Sequence, residues 1–207
     1  MVMNEKSREI LLCNSLLNAH AGSSWRIDWC ALLSVSPSYA TLARIVIGAP
    51  LAQVQLRAWQ CLEDARIQGE EVESEMRRIA FSCPCTRLAS LAWARCSDRS
   101  SDTLTKAIIT TSSLTVRVDA WRLLHVTLPS LYQLSEIVAR CDYEPIVLEA
   151  WGILNKYYSS VCTTSLLVNC LASSSKFVRS AADLRFMQEA TDLRLRERVQ
   201  STLESLF

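Results

Sequence analysis

Apolar and polar positions alternate in blocks along the chain, and the blocks come in pairs. The first member of each pair is an apolar segment, at 10–17, 42–47, 72–81, 104–109, 131–141 and 161–171. A short break follows, at 20–24, 48–50, 82–85, 110–113, 142–145 and 173–175, rich in Ser, Thr, Gly, Pro or Asp. A second apolar segment then begins, and in five of the six it carries a tryptophan: Trp29, Trp59, Trp93, Trp121 and Trp151. The sixth has Asp183 in that place. From 29 to 59, 93, 121, 151 and 183 the steps are 30, 34, 28, 30 and 32 residues. A period of about 31 residues is the signature of a repeat architecture.

The pattern around the tryptophan predicts a helix. Five residues before it stand Val54, Leu88, Val116, Ile146 and Val178. One before it stand Ala58, Ala92, Ala120, Ala150 and Ala182, and three after it Leu62, Cys96, Leu124, Leu154 and Phe186. Spacings of four place these residues on one helical stripe. The alanine in its middle lets another helix approach closely. The first copy is degenerate, keeping only Leu32 of the three, as expected of an end repeat.

These second segments predict helices at about 21–33, 51–66, 86–96, 115–126, 145–158 and 176–188. The five prolines all fall in expected turns, as their roughly 3 kcal/mol cost in a helix interior requires. The reading is an all-α chain of six helix pairs in one repeat domain, 1–207. The repeats run 7–35, 38–66, 70–98, 102–127, 130–158 and 160–186, and a charged helix at 187–207 caps the end.

Two stretches resemble a known family. Val116-Arg-Val-Asp-Ala-Trp-Arg-Leu-Leu124 and Val178-Arg-Ser-Ala-Ala-Asp-Leu-Arg-Phe186 look like the second helix of HEAT-like repeats. The short, phycobilisome-lyase type of repeat, with V-R-x-x-A-x-x-x-L, is the closest kind. The Arg of that pattern is present only as Arg117 and Arg179. The resemblance implies a right-handed α-superhelix whose second helices line a concave surface. It implies no single activity: HEAT-like arrays include protein scaffolds, bilin lyases and chaperones, hydroxylases and alkylpurine DNA glycosylases.

Composition narrows the chemistry. Half of the 207 residues are hydrophobic and 21% are charged, which suits a globular chain and not a disordered one. A net charge of +1 gives no support for a strongly basic nucleic-acid binder. No stretch of about 18 apolar residues is present, so no membrane span is expected. The N-terminus lacks the pattern of a secretory signal. Nine scattered cysteines read as buried thiols of a reduced, cytoplasmic protein.

Candidate sites follow from the repeat. The tryptophan row could be an aromatic ladder for bases or peptide, or it could seal the seams between helix pairs; recurrence in nearly every copy points to packing. Arg117 lies four residues before Trp121, within reach of a cation–π contact. Arg57, Asp119 and Glu149 recur two residues before a tryptophan, and Gln60 and Arg122 one after. With Trp93, Arg117 and Trp121 they form the candidate partner-binding set. Their mixed charge suits a protein partner better than phosphate. Trp25, Asp28 and Trp29 place a carboxylate beside two indoles, which resembles the glycosylase branch, although the first repeat is an unexpected place for it. Glu63, Asp64, Glu70, Glu71, Glu73 and Glu75 form an acidic cluster, and basic residues gather toward the C-terminus. Both read as solvated surface.

Cys83-Pro-Cys85 lacks a second ligand pair, and His20 and His125 stand in no metal-binding context. No catalytic residue, metal or cofactor is expected. The sequence therefore points to a non-enzymatic scaffold or adaptor that binds another protein. A HEAT-like DNA-repair glycosylase and a bilin-lyase-like chaperone are the alternatives the resemblance leaves open.

Overall fold

The computed structural model describes residues 4–64, 70–157 and 164–204. Among these residues there are twelve α-helices and no strand. They are α1 (Glu5–Leu17), α2 (Trp25–Leu33), α3 (Tyr39–Gly48), α4 (Ala52–Asp64), α5 (Glu70–Ser82), α6 (Thr86–Arg95), α7 (Ser101–Thr110), α8 (Leu114–Val126), α9 (Leu131–Arg140), α10 (Glu144–Tyr157), α11 (Thr164–Leu171) and α12 (Lys176–Glu204). The even-numbered helices carry the tryptophan stripe. The expected positions 65–66, 158 and 161–163 lie outside the described residues.

The chain divides into two compact units. One is Met1–Ser100 with Thr110–Asp119, and the other is Ser101–Ile109 with Ala120–Phe207. In the first, α1 packs on α2, α3 on α4 and α5 on α6, while the odd helices pack in order, α1 on α3 and α3 on α5. In the second, α9 packs on α10 and α11 on α12, with α9 also on α11 and α10 on α12. The fold is thus all-α, built from adjacent helix pairs.

Local chemistry sets the helix ends. Asn4 and Ser38 cap α1 and α3 by accepting from the backbone N–H of Ser7 and Thr41. Ser130 and Gln133 form a capping box on α9, satisfying two otherwise orphaned donors. Glu70, Glu71 and Glu73 crowd the first turn of α5, where carboxylates complement the helix dipole. Ala49 leaves α3 in an extended conformation, as the residue before a proline must.

Two details differ from the sequence reading. Pro145, expected in a turn, is the second residue of α10; its missing N–H would have lacked a helical partner there anyway. The sixth tryptophan-type segment and the C-terminal cap are one continuous helix, α12. The span 176–204 contains neither Pro nor Gly, so nothing local stops the helix near 187.

The repeated stripe is the core. Val54, Val116, Val178, Ala58, Ala92, Ala120, Ala150, Ala182, Leu124 and Leu154 are all fully buried. One further buried column was not foreseen. Ten residues before each tryptophan position stand Ala19, Ala49, Cys83, Thr111, Cys141 and Ser173, small and buried in the turn of every copy. Cys83-Pro-Cys85 occupies the same register as Thr111-Ser-Ser113 and Ser173-Ser-Ser175. In the latter two, the first hydroxyl accepts from the backbone N–H two residues on, at 3.1 and 3.3 Å. The Cys-x-Cys is therefore a turn residue pair.

Candidate functional site

The tryptophans are interior residues. Trp59, Trp93, Trp121 and Trp151 are between 2% and 5% exposed. Trp29, in the degenerate first copy, is likewise only 6% exposed. Burying an indole leaves its N–H needing an acceptor. Trp93 Nε1 donates to Asp119 Oδ2 at 2.8 Å in the first unit. Trp121 Nε1 donates to Glu149 Oε2 at 2.8 Å in the second. In both, the acid stands two residues before the next tryptophan. Asp119 and Glu149 are thus the polar lids of the preceding indoles, through charge-assisted hydrogen bonds. Trp59 has no such lid. The corresponding residue of the next copy is Leu91, and Trp59 Nε1 is buried without a hydrogen-bond partner.

Arg117 does not serve Trp121. Its guanidinium is buried and donates to the Thr111 carbonyl at 2.6 Å. Arg179 donates in the same way to the Ser173 carbonyl at 2.6 Å, and Gln55 to the Ala49 carbonyl at 2.9 Å. A long polar side chain four residues before the tryptophan position thus ties down its own turn in three copies. The cation–π contact falls elsewhere: Arg99 lies 4.0 Å from the Trp93 ring centroid and donates to the Trp93 carbonyl. Trp121 instead stacks on His125, with centroids 5.8 Å apart and planes within 6°. Glu149 also lies 3.9 Å from His125 Nδ1, joining the three residues into one cluster.

The remaining candidates face solvent. Arg57 and Gln60 are exposed one turn apart on α4, and Arg122 is exposed on α8. Asp28 is half-buried and accepts from Ser15 Oγ at 2.6 Å, so its carboxylate is engaged by α1. Glu73 and Glu75 of the acidic cluster also have structural partners. Glu73 accepts from Ser97 and Asp98, and Glu75 pairs with Arg78 at 2.8 Å.

Four of the thiols are poor nucleophiles. Burial pushes Cys13, Cys61 and Cys83 up from the ordinary thiol range, and Cys96 to about 12. Since the thiolate is the reactive form, these groups act as small packing residues. Cys162 lies outside the described residues.

The chain matches no family model, no curated protein and no solved structure. Its function rests on what its own surface can do. Here the even helices carry a feature the sequence reading passed over: large apolar side chains left in solvent. In the first unit these are Ile27 on α2, Leu56 on α4 and Leu91 on α6, at 70%, 49% and 39% exposure. In the second they are Leu123 on α8, Leu148 on α10 and Leu184 on α12, at 37%, 39% and 62%. The signal was present in the sequence as leucines one or two positions outside the buried stripe. No helix among the described residues is long and apolar enough to cross a membrane.

Proposed function

We propose that this chain is a HEAT-like repeat protein that acts as a non-enzymatic adaptor, binding another protein through its second helices. The observation that carries the reading is that each unit leaves large apolar side chains of its second helices in solvent beside charged candidates. Leu56 is flanked by Arg57, Leu123 by Arg122 and Leu148 by Glu149. Apolar contacts ringed by polar groups of both signs are the ordinary anatomy of a protein interface. Arg57 and Gln60 are the polar candidates of the first unit, and Arg122 and Glu149 those of the second. Trp93, Trp121 and Arg117 contribute packing rather than contact surface, because a buried ring or guanidinium offers little to a partner.

Leu56→Glu and Leu148→Glu test the reading. Both side chains are partly solvated, at 49% and 39% exposure, so each variant should remain folded and lose little in melting temperature. The parent should retain a partner protein that one or both variants release, as read by quantitative mass spectrometry after crosslinking. Identical partner recovery by parent and both variants would overturn the proposal.

A further inference from the structure

The odd helices of the first unit end close together: α1 at Leu17, α3 at Gly48 and α5 at Ser82. Around these ends lies a pocket of about 490 Å³, lined by Leu17, Arg44, Ile47, Gly48, Arg78 and Ser82. None of these residues belongs to a second helix, so the pocket is separate from the proposed docking row. Its volume falls in the range used for small organic ligands.

The lining has two parts. Leu17 and Ile47 are half-buried and apolar. Gly48 keeps the space between α1 and α3 open, since a Cβ there would stand 3.0 Å from Leu17 Cδ2. Two guanidinium groups supply the rest. Arg78 is held by Glu75 at 2.8 Å and by the Ala40 carbonyl at 2.9 Å. Arg44 touches the neutral Asn14 Oδ1 at 3.3 Å and forms no ion pair with a carboxylate among the described residues. Its charge is therefore available to a ligand.

Helix C-termini carry partial negative charge, which by itself would disfavour an anion. Here that charge is partly offset, because four carbonyls beside the ends of α3 and α5 accept side-chain hydrogen bonds. Ala49 O receives Gln55 Nε2, Val46 O receives Cys83 Sγ, Ala80 O receives Thr111 Oγ1 and Cys83 O receives Ser112 Oγ.

We propose that this pocket binds a small organic carboxylate with an apolar body. The carboxylate pairs with Arg44, and the Ser82 hydroxyl and Arg78 guanidinium lie within the same lining. The body covers Leu17 and Ile47. The apolar floor argues against bare phosphate, which would gain nothing from it, and the unpaired guanidinium argues against a neutral ligand of the same shape.

Calorimetric titration of the full chain with hexanoate, hexanamide and inorganic phosphate tests this. Hexanoate should bind at least roughly tenfold more tightly than either of the others. Arg44→Gln and Gly48→Val should each weaken hexanoate at least roughly tenfold. Arg57→Gln, on the docking row, should leave it unchanged. No binding of hexanoate, equal binding of hexanamide, tighter binding of phosphate, or full affinity in Arg44→Gln would each overturn the proposal. The ligand comparison uses the unaltered protein, so a misfolded variant cannot blur it. Loss of hexanoate binding with partner capture intact would also leave the adaptor reading standing.

Discussion

At the scale of single residues, the indole N–H decides much of the chemistry. Trp93 and Trp121 have carboxylate lids and Trp59 has none. A buried donor without an acceptor costs about 1–3 kcal/mol. Leu91→Glu, which places an acid where Asp119 and Glu149 stand in later copies, should therefore stabilise the protein by about 1 kcal/mol. The gain should vanish in a Trp59→Phe background, which has no N–H to satisfy. A double-mutant cycle in denaturant measures this, and an equal gain in both backgrounds would show that the lid is not its cause. Truncation of Trp121 to Ala removes a ring only 4% exposed and should cost about 3–5 kcal/mol. A denaturation midpoint unmoved by that change would mean the ring does not hold the fold and would restore it as a ligand surface.

At the scale of elements, the small residues set how closely helices approach. Ala92 and Ala120 are fully buried at the middle of their stripes. Ala92→Leu should overpack that position and cost about 1–3 kcal/mol, read as a lowered melting temperature; a melting curve superimposable on the parent's would refute it. The start of α3 adds a pH dependence. Glu9 is held below the ordinary carboxylate range, chiefly by hydrogen bonding to the Thr41 side chain and also by Ser38. The folded form thus favours the ionised acid. Its contribution is present above the unfolded-state value and is lost as pH falls through the folded one. Glu9→Gln should flatten part of the acid limb of stability against pH, with little change near neutrality beyond the loss of that contact. An acid limb identical in the two proteins would remove Glu9 from the account. The side chain is only half-buried and water screens it, so the effect is small.

At the scale of the whole molecule, charge limits the choice of partner. The net charge is +1, and both signs appear along the second helices. Nucleic-acid affinity depends on many phosphate contacts and falls steeply with salt. A duplex titration at about 0.15 M salt should show no submicromolar binding. Tight, steeply salt-dependent binding would favour a nucleic-acid function over the adaptor.

The sequence by itself determined the helices, the breaks between them and the stripe each one buries. Those features are local: a period near 3.6 fixes which residues share a face, and proline and capping residues fix where it ends. Val54, Ala58 and Leu62 could be read as one buried column because their spacing alone places them together. Only the tertiary structure decided which polar atoms meet. Trp93 finds Asp119 across 26 residues, Arg117 turns back to Thr111, and three helix ends border the Arg44 pocket. Such pairings depend on how neighbouring helices are placed to within the length of a hydrogen bond. Periodicity specifies the buried face, but the distances between helices come from the packing of all their side chains at once.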